Sequence, residues 1–435
     1  MRSSMDSGTD VPLPVPRRPT RQPRCLSASE IARNVKHFEV WSACQGCEQV
    51  AYSDIPEDLQ EDVSRVFSTD GMLPASWTKK SSGKPKEFRK FLRKARKCCP
   101  SLFSESVSSE TDEGRALYID LLVVFSAWRR LAWMRESNET HSEADFVANV
   151  YELLRGPAIS QSSYKSKCTI SLPQPQRNLR SKTTARRILS AKTVIPDCAV
   201  FISAKDVRSL SHAATSPFKV LKRGEATERR HRSESSFEIQ STPCAQLPEM
   251  PRFEFAASFF EDKKPLHQML EDAYRQNRMA CAAAIRHLHS LCIKAPIFGL
   301  IWSDGTVRAH VDWSVSENYT SPLTVRSAPF PGLGHDEDAK ADVFHEWRLD
   351  NPSDIIQVWL LIRNLDNWTA GRFRERVTAG VDELVRCVCT EHRRYRPWKR
   401  AGASVLAEVH DENSGSSAVV SASSIASRVK RRKCN

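Results

Sequence analysis

The stretch from Arg252 to Val315 limits what this chain can fold into more than any other, because it reads as strand, long helix, then hairpin. Arg252–Lys264 (RFEFAASFFEDKK) has strand character and ends abruptly in charge. Pro265–Leu291 follows as a long helix with Leu266, Met269, Leu270 and Ala273 packing inward. Ile297–Trp302 and Thr306–Val315 are apolar runs on either side of Ser303-Asp304-Gly305, a pattern that predicts a hairpin. Upstream, Ser142 caps a helix through Leu154 that buries Phe146, Val147, Val150, Tyr151 and Leu154. Thr169–Leu172 and Thr193–Ile202 (TVIPDCAVFI) are strand candidates between them. Helix, three strands, helix and hairpin over Ser142–Val315 predict a mixed α/β sheet with helices packed on its faces.

Around this core the 435 residues divide by composition. Residues 1–26 are Pro-, Ser- and Arg-rich and read as disordered; 27–137 read as a helical accessory region. The α/β part spans 141–394, with a Ser-, Arg- and Pro-rich stretch, 204–250, expected to be a disordered insertion. Pro322–Asp342 reads as a loop, Asn351-Pro352 as the cap of a helix through about Trp368, and 395–435 as a disordered basic tail. The most apolar window, Ala116–Met134, contains Asp120, Arg129 and Arg130, so it predicts a buried helix and not a membrane span. With no apolar stretch at the N-terminus, the expectation is a protein neither secreted nor held in a membrane.

Thirteen cysteines without a short, even framework point to reduced thiols in the cytosol or nucleus. Cys44 and Cys47 form a CxxC, but Cys98 and Cys99 do not supply a properly spaced second pair, so these read as buried or idle thiols and not a zinc site. The net charge of +13 suits a polyanionic partner, nucleic acid above all, and equally suits solubility with localisation signals. Lys84–Lys97 is a basic helix with Phe88, Phe91 and Leu92 on one side; it contacts phosphate or forms a solvated face. The tail run Arg428, Lys430, Arg431, Arg432 and Lys433 resembles a nuclear-localisation signal, giving nuclear residence, with cytoplasmic as the other reading.

Hydrolysing a phosphodiester with a bound cation needs two or more carboxylates converging on the ion and a cationic side chain beside the attacking water. Strands deliver this, since residues i and i+2 share a face. Asp197 follows Pro196 inside TVIPDCAVFI, and Glu261 and Lys263 share a face at the end of RFEFAASFFEDKK. Asp262 and Lys264 fit the same spacing one residue out of register, and a slip would turn the other face inward. The Glu261/Lys263 register is preferred because Phe255, Ala257 and Phe259 continue its face. The competing reading is plain: charges that end a strand, Asp197 capping a turn, and Glu143 as a first-turn acid favouring the helix dipole. His287 and His289 read as surface or rim residues, while His310 and Asp312 alternate on a strand.

Pro196-Asp197 followed by Glu261-x-Lys263 resembles the signature of the PD-(D/E)XK nuclease superfamily, in its order of helix, three strands, helix and strand. Within it, SEADFVANVYELL, IPDCAVFI, FFEDKK and NPSDIIQVWLLIRNLDNWTAGRF look most like fungal PD-(D/E)XK nuclease-like domain proteins, over roughly Ser142 to Arg394. The resemblance implies a restriction-endonuclease-like αβββαβ core with C-terminal helices, and leaves the N-terminal helical region unexplained. It implies Asp197 and Glu261 as metal ligands, Glu143 supporting the metal, Lys263 acting on the water, and Gln268 shaping the site. It further implies Mg²⁺ or Mn²⁺ and hydrolysis of DNA or RNA. The alternative is a catalytically inactive nuclease fold that binds nucleic acid or protein. About sixty residues separate Asp197 from Glu261, longer than the hairpin usual in the superfamily, so an insertion is implied.

Overall fold

A computed structural model describes residues 24–176, 183–213, 215–223, 235–263, 269–316, 322–332, 343–393 and 398–401. Its centre is a mixed sheet of eight strands. They are β1 (Cys47–Gln49), β2 (Ser163–Ser166), β3 (Cys198–Phe201), β4 (Ala256–Lys263), β5 (Ile297–Ser303), β6 (Thr306–Val315), β7 (Thr324–Pro329) and β8 (Trp347–Arg348). The spatial order is β1-β7-β6-β5-β4-β3-β2, with β8 paired to β6. The pairs β4–β5 and β1–β7 are parallel, the others antiparallel.

The hairpin β5–β6 forms where the DG pair predicts it. Asp304 and Gly305 both take positive φ, 49° and 70°, which matches the twist of the flanking strands. β4 is buried along its length except at Lys263, consistent with a central strand covered on both faces. Parallel β4 and β5 need a crossover, and helix Met269–Ser290 supplies it.

Among the helices of the described residues are α1 (Ala28–Arg33), α2 (Val35–Gln45), α3 (Glu57–Phe67), α4 (Lys86–Cys98), α5 (Asp112–Glu136), α6 (143–158), α7 (Met269–Ser290), α8 (Pro352–Trp368) and α9 (Arg374–Thr390). α7 covers one face of the sheet, where its Ala273 and Tyr274 pack on Ile301. α6 and α8 cover the other, with Tyr151 against Trp302 at 4.9 Å and Trp368 against Phe298 at 5.0 Å between ring centroids. α6 carries a π-turn at Val147–Tyr151, and Asn351 caps α8 by accepting from the Ser353 amide. Trp302, Trp313, Trp359 and Trp368 are core aromatics.

Several expectations need correction. Residues 27–137 do supply helices, but β1 joins the sheet edge and α3, α4 and α5 pack on α8 within the same hydrophobic core. Where described, the stretch read as a disordered insertion (204–250) is folded. Its short helices Arg208–His212, Pro217–Leu221 and Ser235–Gln240 bury Leu210, Phe218, Leu221 and Phe237. Phe218 and Phe237 meet Phe253 at 5.6 and 5.9 Å, so a few well-spaced aromatics outweigh a polar composition. The strand expected over Thr193–Ile202 is broken: Thr193–Val194 pairs with Ile170–Ser171, and β3 begins only after Pro196, which has no N–H for a ladder. The Pro322–Asp342 loop contains β7. In the tail expected to be disordered, Trp398 and Arg400 are buried, Arg400 donating to Ser171 Oγ and the carbonyls of Thr242 and Cys244. Residues 1–23, Gln268 and Arg428–Lys433 lie outside the described residues.

Candidate metal centre

The alternation of β4 decides which carboxylate does what. Its register pairs Glu261 with Ile301 and Asp262 with Trp302. Neighbours across a ladder share a face, so Glu261 and Lys263 lie on the α7 side and Asp262 on the α6 side. β3 pairs Cys198 with Phe260, which brings Asp197, one residue before β3, beside Glu261.

Glu261 is 1% exposed. Its Oε1 accepts from Lys263 Nζ at 2.5 Å, while Oε2 is buried with no hydrogen-bond partner among the described residues. Burial pushes its carboxyl up to about 8; Lys263 pulls it down and neighbouring Asp197 adds to the rise. Asp197 is half-buried, and its Oδ2 accepts from the Asp262 amide at 2.8 Å. Burial raises its pKa against the pull of that amide. Burial disfavours charge on Lys263, but Glu261, Asp197 and Glu143 outweigh it and hold the ammonium above its ordinary value. Glu143, the first residue of α6, is partly buried and lies close enough for its charge to act on Lys263. The structure therefore brings Asp197, Glu261 and Lys263 together with Glu143 in electrostatic reach.

Asp262 has a different task. Arg155 of α6, fully buried, donates to both its oxygens, Nη1 to Oδ2 at 2.9 Å and Nη2 to Oδ1 at 2.5 Å. The guanidinium also stacks 4.4 Å from the Trp302 ring centroid. Sequence reasoning missed Arg155; a lone arginine on the apolar side of ELLRGP was the only local signal. His287 is fully buried, not at the rim; its Nε2 meets the Gln240 carbonyl at 2.9 Å, and burial depresses its pKa to about 3. His310 and Asp312 turn toward Asn277 and Cys281 of α7.

Among the described residues no helix is long and apolar enough to cross a membrane. No protein-family model matches the chain, and no curated protein matches it significantly.

Proposed function

We propose that this protein is a metal-dependent hydrolase of nucleic-acid phosphodiester bonds, built on a PD-(D/E)XK-type αβββαβ core. The observation that carries the reading is Glu261. A carboxylate this deeply buried, with Lys263 on one oxygen, no partner for the other among the described residues and a second carboxylate beside it, is costly unless a further cation satisfies the open oxygen. The chain order α6, β2, β3, β4, α7, β5 supports reading this part of the sheet as the αβββαβ core.

The donor set is all oxygen, which suits a hard cation such as Mg²⁺ or Mn²⁺. Asp197 and Glu261 would hold it, with Glu143 supporting through water. When bound, such an ion polarises a phosphate oxygen and lowers the pKa of its water. Lys263, kept protonated by three carboxylates, orients the attacking water and stabilises charge growing on the phosphate. Asp262, locked by Arg155, fixes the end of β4 so that Glu261 and Lys263 keep their facing. A second reading, an idle nuclease fold that grips nucleic acid, is supported by the basic stripe on α4. On either reading the Arg428–Lys433 run would direct the protein to the nucleus.

Calorimetric titration with Mn²⁺ tests the metal part. Wild type is expected to bind and Glu261→Gln to lose binding at least tenfold. No binding to folded wild type removes the metal-dependent reading and leaves the idle one.

A further inference from the structure

Away from the carboxylate site, three other metal-ligating side chains meet inside the fold. One ligand atom each from Cys281 of α7 and from His310 and Asp312 of β6 lies within 4.8 Å of the others. All three are buried. The sequence places them there: His310 and Asp312 are two apart on a strand and share the face toward α7, and Cys281 stands one helical turn after Asn277.

The surroundings are built around the imidazole. His310 Nε2 lies 3.1 Å from Asn277 Oδ1, and Asn277 is fixed by donating its Nδ2 to the Phe259 carbonyl at 3.0 Å. An oxygen that accepts Nε2–H leaves Nδ1 as the ligating atom, the arrangement that orients most metal-bound histidines. Nδ1 faces Asp312 Oδ2 at 2.6 Å. Ser327 Oγ, 3.5 Å from Nδ1, is a fourth donor atom, and Tyr274 OH lies 3.1 Å from it. Across the sheet Gly299 makes room: a Cβ there would come within 1.9 Å of His310 Nε2 and 2.4 Å of Asn277 Oδ1. A glycine inside a central strand weakens it, so the space it leaves has a use.

We propose that Cys281, His310 and Asp312 hold a zinc-class dication, with Ser327 Oγ or a water as fourth donor. A thiolate, an imidazole and a carboxylate suit a borderline-soft ion and not Mg²⁺. Binding releases two protons, the thiol's and the one shared between His310 Nδ1 and Asp312 Oδ2, and one thiolate plus one carboxylate then neutralise the dication. In a tetrahedral site with bonds of about 2.0 Å the nitrogen and oxygen donors sit about 3.3 Å apart, so His310 Nδ1 and Asp312 Oδ2, now 2.6 Å apart, separate by under about 1 Å to admit the ion. A site this enclosed is structural: it clamps α7 to β6, independently of any cation at Glu261.

The test uses the full chain, expressed without a polyhistidine tag in zinc-supplemented medium and dialysed. Elemental analysis is expected to find about one zinc per chain, retained in Glu261→Gln and lost in Cys281→Ala. Growth with cobalt is expected to give visible d–d bands and a near-ultraviolet thiolate charge-transfer band, which needs no variant to fold. Metal-free wild type lacking the cobalt bands, or a folded Cys281→Ala that keeps full zinc, overturns the proposal.

Discussion

Neighbouring carboxylates on β4 show how one residue of offset separates an acid locked by an arginine from one left with an open oxygen. Asp262 is satisfied by a bidentate arginine; Glu261 has one lysine and an oxygen with no partner among the described residues. The difference predicts opposite phenotypes. Without a cation, Glu261 keeps its proton in the folded chain up to about 8, whereas the unfolded chain releases it near the ordinary 4.5. A raised pKa on an acid means stability is lost as pH rises between those values and is flat outside them. Wild type in EDTA should therefore lose about 1.4 kcal/mol per pH unit from this group between about pH 5 and 8, and Glu261→Gln should lack that slope. Asp262→Ala instead strands a buried guanidinium and should cost about 3–5 kcal/mol. Urea unfolding across pH checks both; parallel pH profiles for wild type and Glu261→Gln would count against the assignment.

At the scale of elements, α4 is the clearest case of sequence and structure agreeing. Phe88, Phe91, Leu92 and Ala95 are buried, and Lys86, Lys90, Arg93, Lys94 and Lys97 form one exposed stripe. None of the five has an acidic partner closer than 4 Å among the described residues. Like charges at this spacing cost about 0.2–0.5 kcal/mol per pair, which packing of the apolar side offsets. Because that side is occupied by protein, the helix cannot lie on a bilayer through it, and phosphate backbone is the better fit. Replacing Lys90, Arg93, Lys94 and Lys97 with Ala should weaken binding of a short duplex in EDTA, measured by fluorescence anisotropy. The log–log salt slope should fall by about 0.9 for each phosphate that the variant no longer neutralises; an unchanged slope would place the interface elsewhere. Other elements were less legible. β4 and β5 announce themselves through aromatic and branched runs, whereas β7 (TVRSAP) is strand only because β6 and β1 pair with it.

For the whole molecule, local pattern sufficed to put Glu261 and Lys263 on one face of β4, since strand alternation needs only a few residues to be read, whereas Asp197 lies just before β3 and not within a strand. What it could not supply came from distant chain. Arg155 reaches Asp262 across 107 residues, β1 joins the far edge of the sheet, and Arg400 returns to tie down the segment read as an insertion. Such contacts carry no periodicity and appear only when the core closes. The central claim is that the cluster at the end of β4 cuts nucleic acid. Its most direct measurement is cleavage of labelled single- and double-stranded DNA and RNA with Mg²⁺ or Mn²⁺, by wild type, Glu261→Gln and Lys263→Met of matched circular dichroism. Cation-dependent cutting by wild type is expected, falling at least a hundredfold in both variants. Cutting that survives in either variant, or folded wild type that cuts none of the four substrates, would contradict it.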